Sequence, residues 1–151
     1  MHNSHAVEQV NHFKYLEAEI TSYGNLSKEV REQTMKAARI LGSLNEIVWK
    51  NKYLNIESKV KIYKTTIRPI ITYAVETRPD TNRTLQMMRI VEMRTLRSIQ
   101  GKTLRDRIRT EDIRQNCRLQ DIERWIRQIR IYWNKNKHIK RIEDSRLTNF
   151  Y

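Results

Sequence analysis

The stretch LQDIERWIRQIRIYWNK, residues 119–135, decides the fold class because it separates apolar from basic side chains at the period of an α-helix. One side of such a helix would carry an apolar and aromatic seam formed by Leu119, Ile122, Trp125, Ile126, Ile129, Tyr132 and Trp133. The opposite side would carry a basic ridge formed by Arg124, Arg127, Arg130 and Lys135. Such a helix packs its seam on a core and keeps its ridge in water. A helix from about Leu119 to Lys135 is therefore predicted.

Three more apolar stripes at helical spacing lie upstream of this stretch. The first follows a possible N-cap at Ser27 and consists of Val30, Ala37, Leu41, Leu44 and Val48. The second follows a possible N-cap at Asn55 and consists of Ile56, Val60, Tyr63, Ile67, Ile70 and Ala74. Pro69 lies inside the second stripe and is predicted to kink or split its helix, because the proline ring clashes with the carbonyl four residues back.

The third stripe is predicted to begin at Asp80 or Thr81 and to stop at Gly101, which can adopt the left-handed conformation. Its apolar face consists of Leu85, Met88, Val91 or Glu92, Leu96 and Ile99. A further helix start is predicted at Thr110, where two acidic residues follow and favour a first turn.

The one strand-like stretch is HFKYLEAEIT, residues 12–21, in which apolar side chains alternate from Phe13 to Ile20. It predicts one strand, or two short strands paired as a hairpin, and SYGN at 22–25 supplies a turn. Only 3 Gly and 2 Pro occur in 151 residues, which favours helices over a sandwich or barrel. The predicted fold class is mainly α, with a short N-terminal β-hairpin followed by helices, the last of them basic.

The charge of the chain predicts a polyanionic partner. The net charge is +13, and residues 94–141 hold 15 Lys or Arg against 5 Asp or Glu. Such a cluster attracts nucleic acid, the commonest large anion in a cell. No apolar run approaches the roughly 20 residues of a membrane span, and the N-terminal residues MHNSHAVEQV lack the features of a secretory signal. We therefore expect a cytoplasmic or nuclear protein with no membrane partner.

The sequence offers no set of reactive groups. The single cysteine, Cys117, excludes an internal disulfide and a multi-cysteine zinc site. The acidic residues of the basic region are scattered among arginines, as in solvated ion pairs, and the four histidines show no ligand spacing. No glycine-rich loop precedes a helix, so a phosphate cradle of the P-loop type is not expected. We predict no catalytic residue, no metal site and no cofactor.

Clustered arginines are the stronger functional signal, because a guanidinium presents a planar fork of donors to phosphate oxygens. The predicted contacts to a sugar–phosphate backbone are Arg94, Arg97, Lys102, Arg105, Arg124, Arg127 and Arg130. The aromatic residues Trp125, Tyr132 and Trp133 could stack on bases. Their place on the apolar seam favours core packing instead.

Four blocks of the sequence, in order, resemble the reverse transcriptases of non-LTR (LINE-type) retrotransposons. FKYLEAEI is similar to the family's F-K-Y-L-G-x-x-I block, and KVKIYKTTIRPIITYAVET to its K-x-x-x-Y-x-x-x-I-x-P-x-x-x-Y-x-x-E-T pattern. EMRTLRSIQGKTLRDRIRTEDIR resembles the R-x-L-R-x-I-x-G block with its basic helix, and RIYWNKNKHIKRI resembles the R-x-x-W-x-x-H-x-x-R-M ending. The resemblance covers roughly residues 7–142.

The resemblance implies four segments. A tail or remnant strand would cover 1–11, a primer-grip-like hairpin 12–24, a helical thumb-like subdomain 25–101 and a basic helical extension 102–151. The residues that match the primer grip, which positions the 3′ end of a growing strand, are Lys14, Tyr15, Leu16 and Glu17.

The sequence also departs from the family. Glu17 stands where the family has glycine, Arg78 stands where it has tryptophan, and the spacing from Trp133 to His138 is two residues longer. The family's Y-x-D-D motif, whose aspartates bind the catalytic metal ions, does not occur. The resemblance therefore implies a fragment of an RNA-directed DNA polymerase that lacks the catalytic palm and is not an enzyme on its own.

Three functions stay open at this point. The first is sequence-tolerant binding of RNA or an RNA–DNA hybrid by the reverse-transcriptase fragment. The second is a host-retained helical module that binds a partner protein through its apolar seams. The third is a subunit that completes a split polymerase in trans. The oligomeric state is left open as well.

Overall fold

The computed structural model describes residues 26–135 and the backbone of two short strands, β1 (His12–Tyr15) and β2 (Ala18–Thr21). The strands are antiparallel, with His12 opposite Thr21 and Tyr15 opposite Ala18. The turn predicted at 22–25 lies outside the described residues, as do Leu16 and Glu17. From residue 26 to residue 135 the chain is mainly helical, which confirms the coarse fold class.

Five α-helices form the described bundle: α1 (Leu26–Ser43), α2 (Ile56–Ile71), α3 (Asn82–Ile99), α4 (Thr110–Asn116) and α5 (Ile122–Lys135). A π-helical turn (Asn45–Trp49) follows α1, and a 3₁₀ turn (Leu104–Asp106) precedes α4. Helix α3 contacts all four of the other helices. It is therefore the element against which the rest of the described chain packs.

Helix α1 presents its predicted stripe to α2 and α3, since Val30, Ala37 and Leu41 are buried. Leu44 is only half-buried. The prediction that Ser27 caps this helix was wrong, because the helix already begins at Leu26 and Ser27 lies in its first turn.

Helix α2 begins as predicted, because the Asn55 side chain accepts a hydrogen bond from the Ser58 N–H at 2.8 Å. The stripe is wrong at Ile56, which is 43% exposed. Pro69 does not split the helix, which continues to Ile71. The helix therefore continues past Pro69 although the proline has no N–H to donate to the Thr65 carbonyl.

After α2 the chain turns sharply, and the stripe predicted through Ala74 ends with the helix. Ala74 adopts a positive φ of 57° and is half-buried, while Ile71 and Val75 are fully buried in the core. The left-handed residue therefore ends the helical periodicity and lets Val75 take the core position.

Helix α3 begins and ends where the sequence predicts. Thr81 forms a capping box with Thr84, and Gly101 adopts the left-handed conformation with φ 64°. The sequence left open whether Val91 or Glu92 belongs to the buried face, and both are buried: Val91 is 7% exposed and Glu92 is fully buried. A carboxylate therefore lies in the middle of the core.

Helix α4 begins at the predicted Thr110, but α5 begins at Ile122, three residues later than predicted. Arg118 adopts a positive φ of 49°, and the Asp121 carboxylate accepts the Glu123 N–H at 2.8 Å just before the helix. The seam is confirmed at Ile122 and Ile126, which are buried.

The far end of the predicted seam was wrong. Tyr132 is 69% exposed, and Trp133 is only half-buried. The burial of the seam among the described residues therefore decreases from the first two turns of α5 to its last turn.

Candidate nucleic-acid interface

A groove of about 860 Å³ runs along the solvent-facing side of α3, opposite the segment that leads into α4. Its wall on α3 includes Ile90, Arg94 and Arg97, which share one face because they are three or four residues apart. Lys102 and Leu104 line it from the loop. The groove thus combines cationic and apolar side chains with two carboxylates, Glu111 and Asp121, and it is named the α3 groove.

The local fold brings Lys102 to the same groove as the arginines of α3. Gly101 turns the chain with its φ of 64°, and the Lys102 N–H donates to the Arg97 carbonyl at 2.9 Å. This reversal lets the residue after the helix join the helix's own exposed face. The sequence predicted Arg94, Arg97 and Lys102 one by one, and the structure brings them together.

The cations of this trio form no ion pair or side-chain hydrogen bond with any residue between 26 and 135. Lys102 is nevertheless close enough to Asp106 for its charge to help lower the pKa of that carboxyl. Arg94 and Lys102 are exposed and Arg97 is half-buried. Their charge is therefore available to an anion.

Two other arginines that line the groove are already neutralised. Arg89 pairs with Glu123 and lies 3.9 Å from Asp121, and Arg114 lies 3.5 Å from Asp121. These pairs join α3 and α4 to the start of α5, so they hold the bundle together. The free positive charge of the groove belongs to the other cations.

Arg105 was predicted as a backbone contact but does not line the α3 groove. It lies exposed in the 3₁₀ turn beside Asp106. The Asp106 carboxylate accepts hydrogen bonds from the Thr103 N–H at 2.6 Å and the Thr103 hydroxyl at 3.1 Å, and these bonds lower the pKa of Asp106. Arg105 thus stays in water outside the groove.

The arginine ridge of α5 does not exist as one surface. Arg124 is exposed, and Arg127 forms an ion pair with Glu123 at 2.9 Å within its own helix. Arg130 is turned inward and donates to the carbonyls of Val75 at 2.8 Å and Arg78 at 2.7 Å. The predicted contact of Arg130 with a nucleic-acid backbone stays a prediction, but its Nε and Nη2 are hydrogen-bonded to protein acceptors, which leaves fewer donors for a phosphate.

Arg130 completes a buried cluster around Asp80. The Asp80 side chain is 2% exposed and accepts from Arg130 at 2.5 Å and from Arg78 at 3.3 Å. Arg78, which stands where the family resemblance has tryptophan, also donates to the Tyr73 carbonyl at 3.0 Å. The cluster fastens the turn between α2 and α3 to the end of α5.

A second buried polar cluster, centred on Glu92, was missed at the level of sequence. The Glu92 carboxylate accepts from the Tyr63 hydroxyl at 3.2 Å and from Arg114 at 3.2 Å, and Arg68 lies 3.7 Å away. Burial raises the pKa of Glu92, an effect opposed by the two guanidiniums, and burial beside Glu92 also raises the pKa of Tyr63. A glutamate on an apolar stripe was the signal that could have revealed the cluster.

The primer-grip residues cannot be assembled into a site. The structure places Lys14 and Tyr15 on β1, with only their backbone described, and Leu16 and Glu17 lie outside the described residues. Their role stays a prediction.

Within the described residues, no group of three or more His, Cys, Asp or Glu side chains is placed to hold a metal ion. None of the described helices combines the length and apolar character needed to cross a bilayer. Comparison of the chain with protein-family models, with curated proteins and with solved structures found no match.

Proposed function

We propose that this chain binds the sugar–phosphate backbone of RNA or an RNA–DNA hybrid through the α3 groove. The observation that carries the proposal is the trio Arg94, Arg97 and Lys102, which line one groove and form no ion pair among the described residues. The surrounding chain has a net charge of +13, which adds long-range attraction for a polyanion.

The geometry of the trio suits phosphates rather than base edges. Arg94 and Arg97 are three residues apart, about 4.5 Å along the helix axis, so each can reach a different oxygen of a strand. Contacts to phosphate position a strand but carry no sequence information. The binding is therefore sequence-tolerant, with Ile90 and Leu104 available to contact sugars or unpaired bases.

The origin we propose is the part of a non-LTR retrotransposon reverse transcriptase that follows the catalytic palm. What supports it is the set of four sequence blocks in the family's order, together with the helical character of residues 26–135. In this proposal β1 and β2 belong to the primer-grip-like hairpin and α1–α3 to the thumb-like subdomain. Our proposal assigns no nucleotide polymerisation to the given sequence, in which the family's Y-x-D-D motif does not occur.

One observation favours a second candidate, a helical module that binds a partner protein. Ile90 and Leu104 are 60% and 76% exposed, and both line the α3 groove. Apolar side chains exposed in a groove are typical of a surface that receives an apolar segment. This function predicts nucleic-acid affinity that is weak and insensitive to salt.

The test is the salt dependence of affinity for a short RNA–DNA hybrid and for single-stranded RNA. The groove variant changes Arg94, Arg97 and Lys102 to glutamine. The control variant changes Arg39, Lys52 and Arg83 to glutamine; these cations are exposed and do not line the groove, so the change in net charge is the same.

Loss of three phosphate contacts should lower the slope of log affinity against log salt by about 2 to 3, at roughly 0.7 to 0.9 for each contact. The control should keep a slope within about one unit of the unmodified protein. Equal slopes for the two variants would remove the α3 groove as the binding surface. Affinity that does not vary with salt in any of the three proteins would favour the protein-binding function.

A further inference from the structure

We propose that a second cavity, between α2, α5 and the turn that joins α4 to α5, binds a phosphate group. The cavity has a volume of about 410 Å³ and is lined by Lys64, Arg68, Arg118, Leu119, Gln120 and Trp125. Three of these side chains are cationic and none is acidic. No residue lines both this cavity and the α3 groove, so the two sites are separate.

Arg68 provides a buried charge that the protein leaves with an unused donor. Its side chain is 5% exposed, and its guanidinium lies 5.1 Å from the centre of the Tyr63 ring and 5.0 Å from that of Trp125. Its Nη2 lies 3.7 Å from Oε1 of Glu92 and makes no hydrogen bond within the part of the chain that the structure describes, while its Nε donates to the Tyr63 hydroxyl at 3.4 Å. The guanidinium therefore adds positive charge to the wall of the cavity and has no carboxylate within hydrogen-bond distance.

Glu92 neutralises Arg68 only in part, because the carboxylate is shared. It lies 3.2 Å from Arg114 and 3.7 Å from Arg68, so the closer pair is with Arg114, which also lies 3.5 Å from Asp121. Burial disfavours the charged form of Glu92 and so raises its pKa. Arg68 has only the longer of the two Glu92 contacts and is the less neutralised of the two arginines.

Lys64 and Arg118 complete the cationic wall. Lys64 precedes Arg68 by four residues, so the two lie on one face of α2. Arg118 is held opposite by its positive φ of 49° and by the bond from its N–H to the Gln115 carbonyl at 2.9 Å. Both side chains are exposed, and neither has an ion pair or a side-chain hydrogen bond among residues 26–135.

The chemistry of this wall selects a phosphate group. A guanidinium and an ammonium together can bind several oxygens of one doubly or singly charged anion. A volume of about 410 Å³ exceeds that of a single phosphate and falls within the range of small-ligand sites. The phosphate can therefore belong to a free phosphorylated compound or to one link of a nucleic-acid strand.

The experiment uses the full chain and two probes, inorganic phosphate and a hexathymidylate, at constant ionic strength with chloride as the balancing anion. The site variant is Lys64→Met with Arg118→Met. The control is Arg39→Met with Lys52→Met, which removes two exposed charges that do not line this cavity. The indole N–H resonance of Trp125 reports occupancy, because this ring forms part of the wall.

In the unmodified protein and the control, at least one probe should shift the Trp125 resonance saturably. The site variant should bind that probe about tenfold more weakly, since both exposed cations of the wall are gone. If the site variant binds only inorganic phosphate more weakly, the ligand is a free phosphorylated compound. If it binds only the hexathymidylate more weakly, the ligand is a nucleic-acid strand. The proposal is overturned if neither probe distinguishes the site variant from the control. The arm with inorganic phosphate contains no polynucleotide, so its result does not depend on the α3 groove.

Discussion

Replacing Arg130 by alanine tests whether this arginine is part of the interior rather than of a nucleic-acid surface. The change removes the donors to the Val75 and Arg78 carbonyls and one of the two cations that contact Asp80. Val75 is fully buried, so its carbonyl loses a partner that water cannot readily replace. We expect folding stability to fall while affinity for nucleic acid stays unchanged.

The size of the loss follows from these three contacts. A hydrogen bond to a charged group contributes about 1.5 to 3 kcal/mol. Simple addition of three such contributions overestimates the loss, because the contacts are not all fully buried. The Arg130 side chain is 31% exposed, and Asp80 keeps its contact with Arg78, so both effects reduce the sum. We expect a loss of about 3 kcal/mol in the free energy of unfolding, or roughly 12 °C in Tm for a domain of this size.

The assay is urea unfolding followed by far-ultraviolet circular dichroism, with Arg124→Ala as the control on the same helix. Arg124 is exposed and has no ion pair within the described part of the chain, so its removal should change stability by less than about 0.5 kcal/mol. A double-mutant cycle with Asp80→Asn should show coupling. Equal stabilities for Arg130→Ala and Arg124→Ala would refute the internal role of Arg130.

Two further changes test the interior and a helix end. Because burial raises the pKa of Glu92, the stability it contributes is present below the unfolded pKa of about 4.3 and is lost as pH rises through the higher folded pKa. Urea unfolding should therefore show the unmodified protein losing stability relative to Glu92→Gln as pH rises from about 4.3, and a constant difference would contradict this. Asn55→Ala should cost about 1 kcal/mol, measured as a lower thermal midpoint, since it removes the cap on the Ser58 N–H. The comparison variant is Asn82→Ala, at an exposed asparagine in the first turn of α3.

Much of the helical architecture was predictable because it depends on local sequence. The caps at Asn55 and Thr81 and the stop at Gly101 are set by residues within three positions of each helix end. The buried residues of α1 and the core of α3 follow from side-chain periodicity. Errors arose where local features were ambiguous, as at Ser27, or where a residue of the apolar stripe is exposed in the folded chain, as at Tyr132.

The candidate site was predictable only in part. Sequence indicated seven basic residues, and the structure gathers Arg94, Arg97 and Lys102 in one groove, because a glycine turn folds the loop back beside α3. It separates the rest: Arg105 lies outside that groove, and Arg130 is an internal residue. Charge clustering along a sequence does not determine which cations end on one surface.

The sequence by itself determined the helical class, the stripes that become the core and the excess of positive charge, since each depends on residue type and on spacing within a few turns. Only the tertiary structure decided which charges remain free. The acceptors of Arg130 lie 50 to 55 residues away along the chain, and Glu92 meets Arg68 and Arg114 from different helices. Periodicity specifies the face on which a side chain lies, but the packing of helices specifies what that face meets. An arginine whose donors are hydrogen-bonded to protein acceptors, as in Arg130, has fewer donors left for a phosphate.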